Sequence, residues 1–243
     1  MNFAQWICFL FVSSMAFGLA GDSWVSAGGP ATDRSWNSED YKKLLELVVT
    51  KKVPLPTFAD ETGRKILDQA CSLENLGLCQ NKTLPLAARM LALMDIQASA
   101  NGLNKLYMAE AAKGGKVGRE ISHLLAFLLQ TAAVGIALAD EFVLTIPKDE
   151  TYEVRMNGLA QMRKGMANMF VGCYTSISSD EIYTDADRSL LLAALADTAS
   201  SFVLILGADT QAEMRIKLTD LRLRFSNEGD RDAIDRILAL LRK

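Results

Sequence analysis

One histidine, His123, is all the imidazole the 243 residues hold. That scarcity excludes a good deal. A zinc site built on several imidazoles has nothing to draw on. Glu120-Ile121-Ser122-His123 supplies one Glu-x-x-His, but a ferritin-like di-iron bundle needs two, and a second cannot exist here. Nucleophilic catalysis that relies on an imidazole base would depend on this single side chain. No Gly-x-Ser-x-Gly, His-Glu-x-x-His, P-loop or Gly-x-Gly-x-x-Gly pattern occurs. Nothing points to a Ser–Lys or paired-carboxylate enzyme either.

Aromatic residues are few, at 7%. The net charge is −3, and no Lys/Arg stripe with interleaved aromatics appears. Those two facts argue against nucleic-acid binding. The acids Asp180, Glu181, Asp185 and Asp187 cluster, but an EF-hand loop counted from Asp185 would place Leu190 where glycine is needed. Helix capping explains these acids better. Proline is scarce too, with five in the chain. Long helices therefore meet few obstacles.

Half of the residues are apolar, and Ala, Leu and Met dominate that half. All three are good helix formers. The expected fold is all-α: a bundle of about five long helices behind a shorter N-terminal helical pair. The start and stop signals predict helices near 38–52, 61–71, 83–112, 118–146, 149–178, 189–206, 210–225 and 230–241. Pro54, Pro56 and Pro147 punctuate them, as do Gly114-Gly115 and Gly207. Thr184-Asp185-Ala186-Asp187 resembles a capping box. The segment RIKLTDLRLRF alternates like a strand, yet Met214, Leu218, Leu221 and Phe225 keep helical spacing.

The first twenty residues read as a secretory signal. MNFAQW precedes the apolar run ICFLFVSSMAFGLA, and Gly18 and Ala20 are the small residues before a cut at Gly21. The run is short for a membrane span. Cys8 lacks a lipobox-like context. Residues 21–37 are expected to form a flexible Gly/Ser/Ala-rich leader, and residues 38–243 a single all-α domain of about 200 residues, enough for a real core. The expected compartment is secreted or periplasmic. In such a compartment Cys71 and Cys79, which bracket SLENLGL, are the expected disulfide, with Cys173 left as a free thiol. Asn81-Lys82-Thr83 fits the N-glycosylation acceptor pattern.

Ile121–Ala139, ISHLLAFLLQTAAVGIALA, carries no charge. It is long enough to cross a bilayer. Its flanks argue against that: Lys113, Lys116 and Arg119 precede it, while Asp140 and Glu141 follow. An exported N-terminus would leave the basic flank outside, against the positive-inside tendency. A central bundle helix is the better reading. His123, Ala126, Gln130, Ala133, Ala137 and Asp140 form a stripe of small and polar residues along it. Gly158, Gly165 and Gly172 fall seven apart in the next helix. Close backbone packing between these two stripes is the expectation.

Met162, Met166, Met169 and Cys173 share another helix face at spacings of four, three and four. Thioether and thiolate suit Cu(I). Met also fills cores, and Leu159, Phe170 and Ile177 extend the same face, so core packing is the stronger reading. No cofactor is expected. Together these features favour an extracytoplasmic, non-enzymatic protein that acts through protein–protein contact, such as an inhibitor, immunity-like factor or assembly partner. The competing readings are a carrier of a hydrophobic small ligand or Cu(I), and an enzyme of unrecognised type.

Overall fold

The computed structural model describes residues 35–178 and 182–241. The signal expected at 1–20, with Cys8, and the leader up to residue 34 lie outside the described residues. Residues 35–37, expected as the end of a flexible leader, belong instead to the packed domain, because Trp36 is buried in the core and Asn37 caps the first helix. Among the described residues the architecture is all-helical, a bundle, as the composition implied. Two short helices lead: α1 (Ser38–Val49) and α2 (Glu61–Ala70). A 3-10 turn (Leu73–Leu76) and the one-turn α3 (Gly77–Gln80) follow, and neither was anticipated from the sequence. The bundle proper is α4 (Leu86–Ala111), α5 (Gly118–Thr145), α6 (Tyr152–Ser176), α7 (Asp185–Val203), α8 (Ala208–Arg224) and α9 (Glu228–Leu240).

Local chemistry sets the helix starts. Asn37 and Asp40 close a capping box on α1, each side chain taking the other's backbone N–H. Thr184 and Asp187 do the same for α7. That box was legible in the sequence, but the helix begins at Asp185 rather than near Ser189. Pro85 stands just ahead of α4, where its missing N–H costs nothing. RIKLTDLRLRF is helical, within α8 and its cap. Met214, Leu218 and Leu221 are its buried residues, as the spacing predicts.

α5 is the axis of the fold. Ile121, Leu124, Phe127, Leu128, Leu129, Ala132 and Ile136 along it are almost wholly buried. It is long and apolar enough to cross a membrane, and 61% of its most apolar window is buried against other helices. α4 runs antiparallel to it, and Arg89 at the start of α4 pairs with Glu141 near the end of α5 at 2.8 Å. α7 lies parallel to α5, first turn against first turn. There a Cβ added at Gly118 would fall 2.0 Å from the Ile182 carbonyl oxygen. The Ser122 hydroxyl also faces the Asp187 carboxylate at 3.5 Å.

The N-terminal elements are locked on by buried polar groups. Asn75 accepts the Trp36 N–H and donates to the Tyr41 hydroxyl and the Gln69 carbonyl. Glu120 takes the Phe58 N–H at 2.8 Å. The Tyr107 hydroxyl donates to the Pro56 carbonyl. Tyr41 stacks on Phe127, which brings α1 onto the central helix.

The packing expected of the two small-residue stripes is not what the structure shows. Gly158 is exposed, and a Cβ at Gly158 or Gly165 would meet nothing within 4 Å. The α5 stripe also turns outward: Ala137 and Asp140 are exposed, and His123, Ala126, Gln130 and Ala133 are half-buried. The reason is competition for the interior. Both helices carry bulkier apolar side chains elsewhere, and burying those removes more surface from water. The close approach sits at Gly135 instead, where the Met166 methyl lies 2.6 Å from the position a Cβ would take.

Candidate functional site

The sequence singled out three sets of residues. The structure brings Met166, Met169 and Cys173 together as interior packing. Met162 is half-buried at the edge of the same cluster. Met166 fills the Gly135 notch of α5. Burial pushes the Cys173 thiol up to about 12, the reverse of what thiolate ligation needs. Among the described residues no group of three His, Cys, Asp or Glu side chains is placed to hold a metal ion.

The expected Cys71–Cys79 disulfide is not formed in the structure; both are free thiols. Cys71 caps the C-terminus of α2, and Cys79 sits buried in α3. Burial pushes the Cys71 thiol up to about 12 and raises Cys79 as well. The Cys79 carbonyl is held by the Arg89 Nε at 3.0 Å.

His123 is a boundary residue. Its Nδ1 lies 2.8 Å from the Arg119 carbonyl, and its ring packs on Phe58 at 4.4 Å between centroids. Arg119 lies over the other part of that contact, 4.6 Å from the Phe58 centroid. Glu120 of the half-motif faces inward to Phe58 N–H, so it and His123 serve different neighbours.

An open groove runs between the end of α1, the following loop and α4, lined by Val48, Val53, Leu55, Leu106 and Ala109. Lys51, Glu110 and Lys113 also line it. It is a surface concavity rather than an enclosed apolar chamber.

The feature that sequence reasoning missed is the outer face of α4. Leu91 is 62% exposed and Met94 is 51% exposed. Ala87, Ala88 and Ala98 are exposed around them, and Leu84 leads into the face. Ala87, Leu91, Met94 and Ala98 recur at four, three and four, one helical stripe. Between Lys82 and Lys105 the only charged residues are Arg89 and Asp95. Arg89 is buried and grips both oxygens of Glu141. Asp95 is paired with Lys42 of α1 at 2.9 Å. Both charges are thus spent on the fold, and the stripe itself is neutral. One signal in the sequence could have revealed it: α4 has apolar residues on all sides, more than a helix with one buried face requires. Exposed apolar residues scattered singly are ordinary; here several share one side of one helix.

Compared with known proteins, the chain matches no family model, no curated protein and no solved structure.

Proposed function

We propose that this chain is an extracytoplasmic protein that works by binding another protein rather than by catalysis. The observation that carries the reading is the neutral apolar stripe of Ala87, Leu91, Met94 and Ala98 on α4. Such a face loses free energy in water and regains it under a partner helix. Its charges are already engaged inside the chain, so contact with a partner strands none of them. The apolar run at the N-terminus supports export, with a cut before Gly21. α5 then serves as the core helix of the bundle, not as a span. The Met/Cys face and the open groove give no support to a carrier.

Site-specific cross-linking tests the reading. A photoreactive group at Leu91 should capture protein in the native compartment, and one at exposed Thr175 should not. The Leu91→Glu variant should lose its contact while keeping the wild-type helical signal. Equal capture from both positions, or none from Leu91, would refute the assignment of this face. Mass spectrometry of the natively produced chain tests export, and an intact Met1 in the cytosol would end that part of the proposal.

A further inference from the structure

The connection between α3 and α4 carries a complete acceptor pattern for N-linked sugar, Asn81-Lys82-Thr83. We propose that the Asn81 side-chain amide is the N-glycan attachment site of this chain. The proposal rests on the export part of the reading above and adds a covalent modification to it.

The pattern is single. Nine asparagines occur in the chain, and only Asn81 is followed by a residue other than proline and then by Ser or Thr. Placement decides what so short a pattern means. α3 ends at Gln80, Asn81 caps it in extended backbone, and α4 starts at Leu86. Residues 81–85 are exposed without interruption. A bulky, strongly hydrated sugar needs such a site, because a packed interior cannot enclose it. Asn75 and Asn104 are buried, and the same group there would open the core.

The hydrogen bonds of the turn leave the reacting atom out. Asn81 Oδ1 accepts the Thr83 N–H at 3.0 Å and the Thr83 hydroxyl at 2.7 Å. The Leu84 N–H donates to the Asn81 backbone carbonyl at 3.1 Å. Every one of these bonds ends on an oxygen of Asn81, and none uses Nδ2. The hydroxyl that the pattern demands two residues on is thus already seated on the acceptor amide. A substituted amide keeps its oxygen and one N–H, so the turn holds its shape after attachment.

The donor is an oligosaccharide carried on a lipid pyrophosphate, delivered by an oligosaccharyltransferase of the export membrane. A bond forms between Nδ2 and the anomeric carbon of the first sugar. The bond from that carbon to the pyrophosphate oxygen breaks, and its electron pair leaves with the lipid pyrophosphate. Nδ2 gives up one proton to solvent or to a base of the transferase. Nothing is oxidised or reduced.

Translation of the full chain beside microsomes of the endoplasmic reticulum tests the proposal. The protease-protected product should lose the N-terminal signal and gain the mass of one core oligosaccharide. Peptide-N-glycosidase should remove that gain and leave a carboxylate in place of the Asn81 amide. Asn81→Gln and Thr83→Ala should each abolish the gain, while Thr83→Ser should keep it, a rescue that a folding defect does not mimic. A protected, cut chain of unmodified mass overturns the proposal, and so does a gain that survives Asn81→Gln. Failure of export reads differently: the chain stays outside the microsomes with Met1 intact. The same chain behind a proven signal sequence then decides for or against Asn81 by the same mass gain. In the natively produced protein, peptide mapping should find the sugar on Asn81, and a bare Asn81 on a chain beginning at Gly21 overturns the proposal while leaving export standing.

Discussion

Replacing Gly158 and Gly165 by alanine should stabilise this protein. Both lie inside α6, where glycine is less favourable than alanine by about 1 kcal/mol per residue. The usual reason to keep such glycines is close packing, and that reason fails here. A Cβ at either position would meet nothing within 4 Å. The added methyl displaces nothing, and the unfolded chain loses backbone freedom. Two turns of helix, about 10 Å, separate the sites, so the gains should add. The double variant should be more stable by about 1–2 kcal/mol, which raises the melting temperature of a chain this size by about 2–8 °C. Urea titration with a helical signal, together with a thermal scan, measures both quantities. A packed glycine face gives the opposite sign: two methyls forced into a helix–helix contact would cost about 1–3 kcal/mol each. A destabilised double variant would therefore refute the outward placement of this face.

Three further outcomes follow from the packing. Gly118→Ala should destabilise by about 1–3 kcal/mol, because its Cβ would fall 2.0 Å from the Ile182 backbone oxygen, which cannot swing away as a side chain can; an unchanged urea midpoint would refute this. Arg89→Met should cost about 1–3 kcal/mol by leaving the Cys79 carbonyl and Glu141 without their donor, and a neutral result would mean water replaces the guanidinium. The Cys71 and Cys173 thiols should resist iodoacetamide in the folded protein. Burial raises both to about 12, so the folded chain keeps protons that the unfolded chain releases above the ordinary value of 9.0. Their contribution is complete below that ordinary value and is lost as pH rises toward about 12, by up to about 1.4 kcal/mol per pH unit for each thiol. Unfolding midpoints at pH 7, 9 and 10.5 should fall in that order, and Cys173→Ala should flatten the decline.

What the sequence revealed and what it hid divide along a physical line. Helix positions were legible because caps, prolines and apolar periodicity act within a few residues, as at Thr184–Asp187 and Met214–Leu221. The turn and α3 between Ser72 and Gln80 were not, since they have no periodicity long enough to read. Which face of an apolar helix turns inward was harder still. In α5 and α6 the small-residue stripes have a regular spacing, and regular spacing alone does not say whether a neighbour lies over it. Met166 took the notch at Gly135, a glycine with no repeat to mark it. The α4 face was hidden because a helix with apolar residues on all sides does not say which of them lie outward, and the sequence does not show where Arg89 and Asp95 find their partners. Only their pairing with Glu141 and Lys42 shows that the residues between them are left bare.

The seating of Trp36 has a mechanical consequence. Its ring is buried, edge-on to Tyr41 at 5.3 Å, and its N–H is held by Asn75. Tension arriving through the residues ahead of Ser35 therefore does not peel α1 from its end. The Trp36–Asn75 bond ties that segment into the interior, since Asn75 is bonded in turn to the Tyr41 hydroxyl and to the Gln69 carbonyl at the end of α2. Tyr41, stacked on Phe127, extends the tie to the central helix. A pull applied at Ser35 should therefore be borne by the middle of the fold, and the described helices should yield under load in one step rather than unravel one by one from α1.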